Sequence, residues 1–227
     1  MKRTLVAGVL TAALSLSACS SAPGTGDAAP SSTSPARSTA ALKQALLSAA
    51  DLPKGYAMQP EAEEGGVTPV ARSADPSCRA FVRLINAQRL PGSKASAIAA
   101  FAGGNEGPFV EEWLEAMSGP AAVSEVQGQL RSSVADCHEV TVSLPGAGSA
   151  PMDLTAVPAP DVGRDPIGYR MAARHGALGG FEITFVHTRV GDTLLTMDFV
   201  AIDPAQIPGL LRSAHAKAAA QLKVSTP

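Results

Sequence analysis

Two periodicities run along the chain, and the second takes over after residue 137. Before that point apolar residues recur at helical spacing. "TAALKQALLSAADLPKGY" predicts a helix stopped by Pro53, with Leu42, Ala45, Leu46 and Ala49 on its inner side. In "DPSCRAFVRLINA", Asp75 suits the N-cap and Pro76 the first helical position; Cys78, Phe81, Val82 and Ile85 then share a face. Pro120 opens a third helix, with Val123, Val126, Leu130, Val134 and Cys137 on one stripe. Beyond Cys137 the period drops to two. "HEVTVSL", "MDLTAV" and "IGYRMAAR" read as strands. In "FEITFVHTRVGDTLLTMDFVAI", Phe181, Ile183 and Phe185 alternate on one arm, and Leu195, Met197 and Phe199 on the other. That predicts a hairpin around Gly191-Asp192 with one buried face. The last helix runs from about Pro208 to Leu222, with Leu210, Leu211, Ala214, Ala218 and Leu222 inward.

Other stretches are less decided. Ala57 and Met58 enter an extended segment, 61–74 reads as a loop, and "ASAIAAFAG" is open to a strand. "PFVEEWLEAM" fits both periods: Phe109, Trp113 and Met117 as a helix, or Phe109, Glu111 and Trp113 on one face of a strand. Helices first, then a strand meander, then a helix give an α+β class: an antiparallel sheet flanked by helices.

Composition narrows the partners. At 45% hydrophobic and 4% aromatic, the core must be aliphatic. Net charge is −2, and it becomes −4 for a chain starting at Cys19, which loses Lys2 and Arg3. Nucleic acid, which needs a basic surface, is excluded as a partner.

The first eighteen residues stand apart. Lys2 and Arg3 precede the apolar run Leu5–Leu16, too short to span a bilayer, and small residues follow. Leu16-Ser17-Ala18-Cys19 resembles the bacterial lipobox. The resemblance implies a signal peptide over 1–18, a diacylglycerol thioether on Cys19 and attachment to the extracytoplasmic face of the cell membrane. After Cys19 the segment 19–38 is Ser, Pro, Gly, Ala and Thr with Asp27 and Arg37 as the only charges, which predicts a flexible, disordered tether or an O-glycosylated stalk. A single extracytoplasmic domain then occupies 39–227.

With Cys19 lipidated, Cys78 and Cys137 remain, and exported thiols usually pair. A bridge between them staples two helices; the other possibility is two free buried thiols. No C-x-x-C or H-x-x-x-H spacing points to a metal, and no G-x-S-x-G, P-loop or G-x-G-x-x-G points to a known catalytic or cofactor site. The glycine-rich "HGALGGF" reads as a turn. His138, His175, His187 and His215 are scattered and expected at the surface, His187 facing solvent beside the hairpin turn and His215 on the polar side of its helix. Glu111, Glu112 and Glu115 are expected on a solvated face, and Glu61, Glu63 and Glu64 in a loop. A hydrolase reading requires Glu111 or Asp198 to meet His138 or His187 within hydrogen-bond reach.

"ALLSAADLPKGY", "PSCRAF", "VADC", "VHTRVGDTLL" and the final helix together resemble the sensor-like extracellular domain of actinobacterial lipoproteins and kinase ectodomains. That resemblance implies a helix-flanked antiparallel sheet with a cleft and a ligand- or partner-binding role. Members often carry two disulfides, whereas this chain can form one. The expected function is therefore a lipid-anchored binding domain without catalysis or cofactor, for an unknown envelope ligand or protein. A carrier for envelope lipids, needing a large apolar cavity between sheet and helices, and a hydrolase are the alternatives.

Overall fold

The computed structural model describes residues 37–59 and 69–224. The expected signal peptide, Cys19, the expected tether up to residue 36 and Glu61, Glu63 and Glu64 lie outside the described residues.

Nine strands pair in one antiparallel sheet: β1 (Ala57–Met58), β2 (Val70–Arg72), β3 (Ala95–Ala102), β4 (Phe109–Ala116), β5 (Glu139–Leu144), β6 (Gly148–Val157), β7 (Arg164–Ala173), β8 (Glu182–Val190) and β9 (Thr193–Val200). Their spatial order is β1-β3-β4-β9-β8-β7-β6-β5-β2. Four helices flank it: α1 (Thr39–Ala45), α2 (Arg79–Ile85), α3 (Pro120–Asp136) and α4 (Ile207–Gln221). The class is α+β, as the patterns predict.

The sheet is sandwiched, and this changes the burial of nearly every strand. On one side α1 and α4 cover Ala97, Phe101, Val110, Leu114, Leu195, Met197 and Phe199. On the other, α2 and α3 cover Val140, Met152, Ile167, Tyr169 and Met171, with Phe181, Ile183 and Phe185 packed at their margin. The two arms of the hairpin therefore point their alternating apolar residues to opposite sides of the sheet. Register explains it: Phe185 pairs with Asp198 and Val186 with Met197, so the odd residues of β8 share a side with the even residues of β9. The hairpin expected to bury one face buries both.

Local chemistry sets the helix ends. Ser38 accepts from the Ala41 N–H at 3.2 Å and caps α1. Asp75 accepts from Ser77 and starts a short 3₁₀ turn (Pro76–Cys78) that leads into α2. Its buried face is Cys78, Phe81 and Leu84, with Val82 and Ile85 half-buried. The α3 stripe is buried as its spacing predicts. α1, expected to run to Pro53, stops at Ala45, and Ala49 is exposed on a separate 3₁₀ turn (Ala49–Asp51). The break lets Leu46 and Leu47 both reach the core, and it frees the Leu47 N–H to bond Glu112 Oε2 at 2.6 Å. Within 61–74, Val70–Arg72 forms an edge strand on β5.

Cys78 and Cys137 are joined by a disulfide, tying the start of α2 to the end of α3. Arg37, expected in the tether, belongs to the folded body. It donates to Asp192 Oδ1 at 2.7 Å and to the Leu222 carbonyl at 2.6 Å.

Candidate functional site

β4 resolves the ambiguous stretch as a strand, and its acidic residues are not on a solvated face. Glu112 points to the α1 side with no exposed surface. Glu115, 7% exposed on the α3 side, accepts from the Leu90 N–H at 3.0 Å. Glu111 is half-buried and accepts from the Trp113 indole. The sandwich is the reason: a sheet covered by helices on both sides leaves little open surface for strand side chains.

On the α3 side, strand pairing gathers a polar cluster from four strands. Glu111 on β4 lies opposite Asp198 on β9, and Trp113 lies opposite Thr196. Phe185 and His187 on β8 flank Asp198 and Thr196 from the other side. Tyr169 on β7 stacks on Phe185 with ring centroids 4.8 Å apart and on His187 at 5.5 Å, while Phe81 from α2 meets its edge at 5.6 Å. α3 packs over β6 to β9, and α1 packs on β3 and β4 from the opposite side. The patch is therefore densely built on its β7 side. It opens toward β4, where Phe109 is 37% exposed and Trp113 half-buried. Ala100, opposite Glu111 on β3, fills little of the space there.

Two groups in this cluster have no hydrogen-bond partner although solvent does not reach them: Asp198 Oδ1 and His187 Nε2. His187 is only 6% exposed, not solvent-facing as expected; its Nδ1 lies 2.8 Å from Thr196 Oγ1. Burial holds the imidazole neutral, its pKa pulled down to about 3. Burial, then the neighbouring Glu111 carboxylate, push the Asp198 carboxyl well above its ordinary range. Burial also raises Glu111, partly offset by the Trp113 bond. The Tyr169 phenol is raised by burial and then by Asp198. Two carboxyls side by side with a neutral histidine can hold a proton or a cation between them.

His187 meets Thr196, and His138 is exposed at the foot of α3, so neither meets Glu111 or Asp198 in a hydrogen bond. His175 is exposed in the β7–β8 loop. His215 is half-buried, not on a fully polar face; it packs where any Cβ on Gly163 would sit. A cleft of about 320 Å³ lies on the α4 side, between Pro158 and Pro160 on one wall and Ile202, Pro204 and Pro208 on the other. That is space for about ten water molecules. Among the described residues no helix is long and apolar enough to cross a membrane.

Of the residues that form the patch, the strand alternative for 108–117 places Phe109, Glu111 and Trp113 together from sequence. Asp198 carries a weaker signal, an acid inside an otherwise apolar strand. Their pairing across β4 and β9 has no local signature.

No family model matches the chain, and no curated protein matches it. Solved structures do. The extracellular domain of PknH from Mycobacterium tuberculosis aligns at TM-score 0.56 and 12% identity, over 83% of this chain and 98% of that one. The two share a fold. A putative uncharacterized protein from Mycobacterium smegmatis, an Rv0999 ortholog, aligns over 74% of this chain and 92% of that chain, at 16% identity and TM-score 0.42, a likeness that carries no argument.

Proposed function

We propose that this chain is a lipid-anchored domain on the outer side of a cell membrane that binds an envelope ligand or partner through the Glu111–Trp113–Asp198 patch, without covalent chemistry. One observation carries the binding reading. A stretch of sheet that opens toward β4 holds two adjacent carboxyls, and one Asp198 oxygen is buried there without a hydrogen-bond partner. Buried polar groups are nearly always paired, and exceptions need an explanation. A ligand that supplies the missing partner is the simplest one.

The location rests on the charged, apolar and small-residue leader, on Cys19 in its lipobox-like setting, and on a disulfide suited to an oxidising compartment. The fold shared with a kinase's extracellular domain is in keeping with it. The absence of catalysis is supported by His187, which spends its only bond on a threonine and meets no acid.

Native mass spectrometry of the full chain from its own host tests the site. The wild type is expected to carry a bound species that Asp198→Asn loses; equal retention by both moves the site elsewhere. Cys19→Ser tests the anchor. The variant is expected in the soluble fraction, and unchanged membrane fractionation removes the lipid from the account.

A further inference from the structure

We infer that the Glu111–Asp198 patch takes an organic cation, an ammonium or guanidinium group seated between the two carboxyls and against the Trp113 ring. The inference rests on the patch being the binding site and goes further by naming the ligand class.

Five of the described acids are ion-paired. Asp192 is paired with Arg37, Asp51 with Lys217, Asp153 with Arg174, Asp165 with Arg189 and Glu182 with Arg170. Glu111 and Asp198 are half-buried, whereas Asp51, Asp165 and Glu182 are exposed, yet among the described residues neither Glu111 nor Asp198 has an ion-pair partner. A buried charge without a counter-charge is costly. Two such groups directly opposite on neighbouring strands repel each other as well. Among the described residues no cation acts on either carboxyl. His187 is neutral and Tyr169 is a phenol. Glu115, further along β4, is another acid and is bonded to the Leu90 N–H. Arg189 is spent on the Pro120 carbonyl, Ser124 and Asp165.

The second observation is independent of the acid pair. His187, on the same side of the sheet and 6% exposed, leaves Nε2 unpartnered in the cluster. A site whose buried polar atoms are left unpartnered is built to receive a polar ligand. The third is the aromatic frame. Trp113 and Phe109 share the side of β4 that carries Glu111, and Phe185 lies directly opposite Asp198. Aromatic side chains on the same side of the sheet as a carboxyl pair offer an apolar surface for the body of an organic cation. Among the described residues no group of three or more His, Cys, Asp and Glu is placed to hold a metal ion. Two carboxyls and aromatic rings suit an organic cation, whose carbon body contacts the rings while its N–H groups reach the oxygens.

A cation entering this patch competes with the proton the pair holds, so binding strengthens as pH rises. Displacement of one proton gives up to about a tenfold tighter dissociation constant per pH unit.

Trp113 is the only tryptophan in the chain, so its emission reads the patch directly. The full-length protein in detergent is titrated with benzylammonium and butylguanidinium chlorides against sodium chloride of matched ionic strength. Methyl glucoside serves as a neutral polyol, and calcium chloride as a metal. The expected result is a saturable emission change with the organic cations alone. It tightens about tenfold or more from pH 6 to pH 8, and it is lost in both Asp198→Asn and Glu111→Gln. Glu125→Gln on α3, outside the patch, retains it. Two conservative variants guard against one that misfolds, and unchanged thermal unfolding confirms each. Saturation by the polyol or calcium without the cations overturns the ligand class and leaves the site reading standing. No saturable change with any probe across the millimolar range overturns the ligand class as well. The site reading falls separately, through retention of the co-purifying species by Asp198→Asn.

Discussion

Glu112 is the most informative single substitution in this domain. Its carboxyl has no exposed surface. Oε2 accepts the Leu47 N–H at 2.6 Å, and Oε1 has no partner. Burial is the main cause that lifts its pKa from an ordinary 4.5 to about 7, and Asp51 adds to it; the Leu47 bond and Lys217 oppose it. The folded chain therefore keeps a proton that the unfolded chain releases above pH 4.5. The stability this contributes is fully present below pH 4.5 and is lost as pH rises through 7. Each pH unit in that window is worth about 1.4 kcal/mol, so the loss totals about 3 kcal/mol. Glu112→Gln keeps an acceptor for Leu47 and cannot ionise. Urea unfolding at pH 5 and pH 8 should find the variant within about 1 kcal/mol of wild type at pH 5, and more stable by about 2–3 kcal/mol at pH 8. The difference between the two proteins must be read, not the wild-type curve. His187, with its pKa pulled down to about 3, loses stability as pH falls below its ordinary value, and so it opposes Glu112 between pH 5 and 7. That background is common to both proteins and cancels. A variant displaced by the same amount at both pH values refutes the argument, because the proton would then reside elsewhere.

Three further outcomes follow from geometry. Cys78→Ala with Cys137→Ala opens a loop closed across 59 residues; chain entropy puts the cost at about 4 kcal/mol, read as a fall in thermal midpoint of about 10 °C. Arg37→Ala removes bonds to Asp192 and Leu222 in a partly exposed setting and should cost about 1 kcal/mol, with faster hydrogen exchange in α1 and the end of α4. Gly163→Ala places a Cβ 2.3 Å from Thr188 Oγ1 at a φ of +72°; calorimetry should show a loss of about 2 kcal/mol or more, whereas Gly128→Ala, with open space around its Cβ, should lose nothing.

Helices with a clean stripe were readable from the chain. The five stripe residues of α3 are all buried, and α4 begins one residue before its expected proline. Where two forces compete, local pattern misleads. α1 ends early because Leu46 and Leu47 are both worth burying and Glu112 rewards the Leu47 amide, a contact from far along the chain. The hairpin read as one-faced because Leu195, Met197 and Phe199 satisfy that pattern completely. Only the helices stacked on both sides bury Leu194, Thr188 and His187 as well. The same holds for the patch. Alternation can put Glu111 beside Trp113, but only strand order puts Asp198 opposite Glu111, and strand order is a property of the whole sheet.

The Arg37 side chain reaches the carbonyl of Leu222, which brings the first and last turns of the described domain into contact. Such closeness lends itself to rewiring: a few glycines joining the two ends should give a circular permutant, reopened for example in the loop between β7 and β8, that keeps the same sheet.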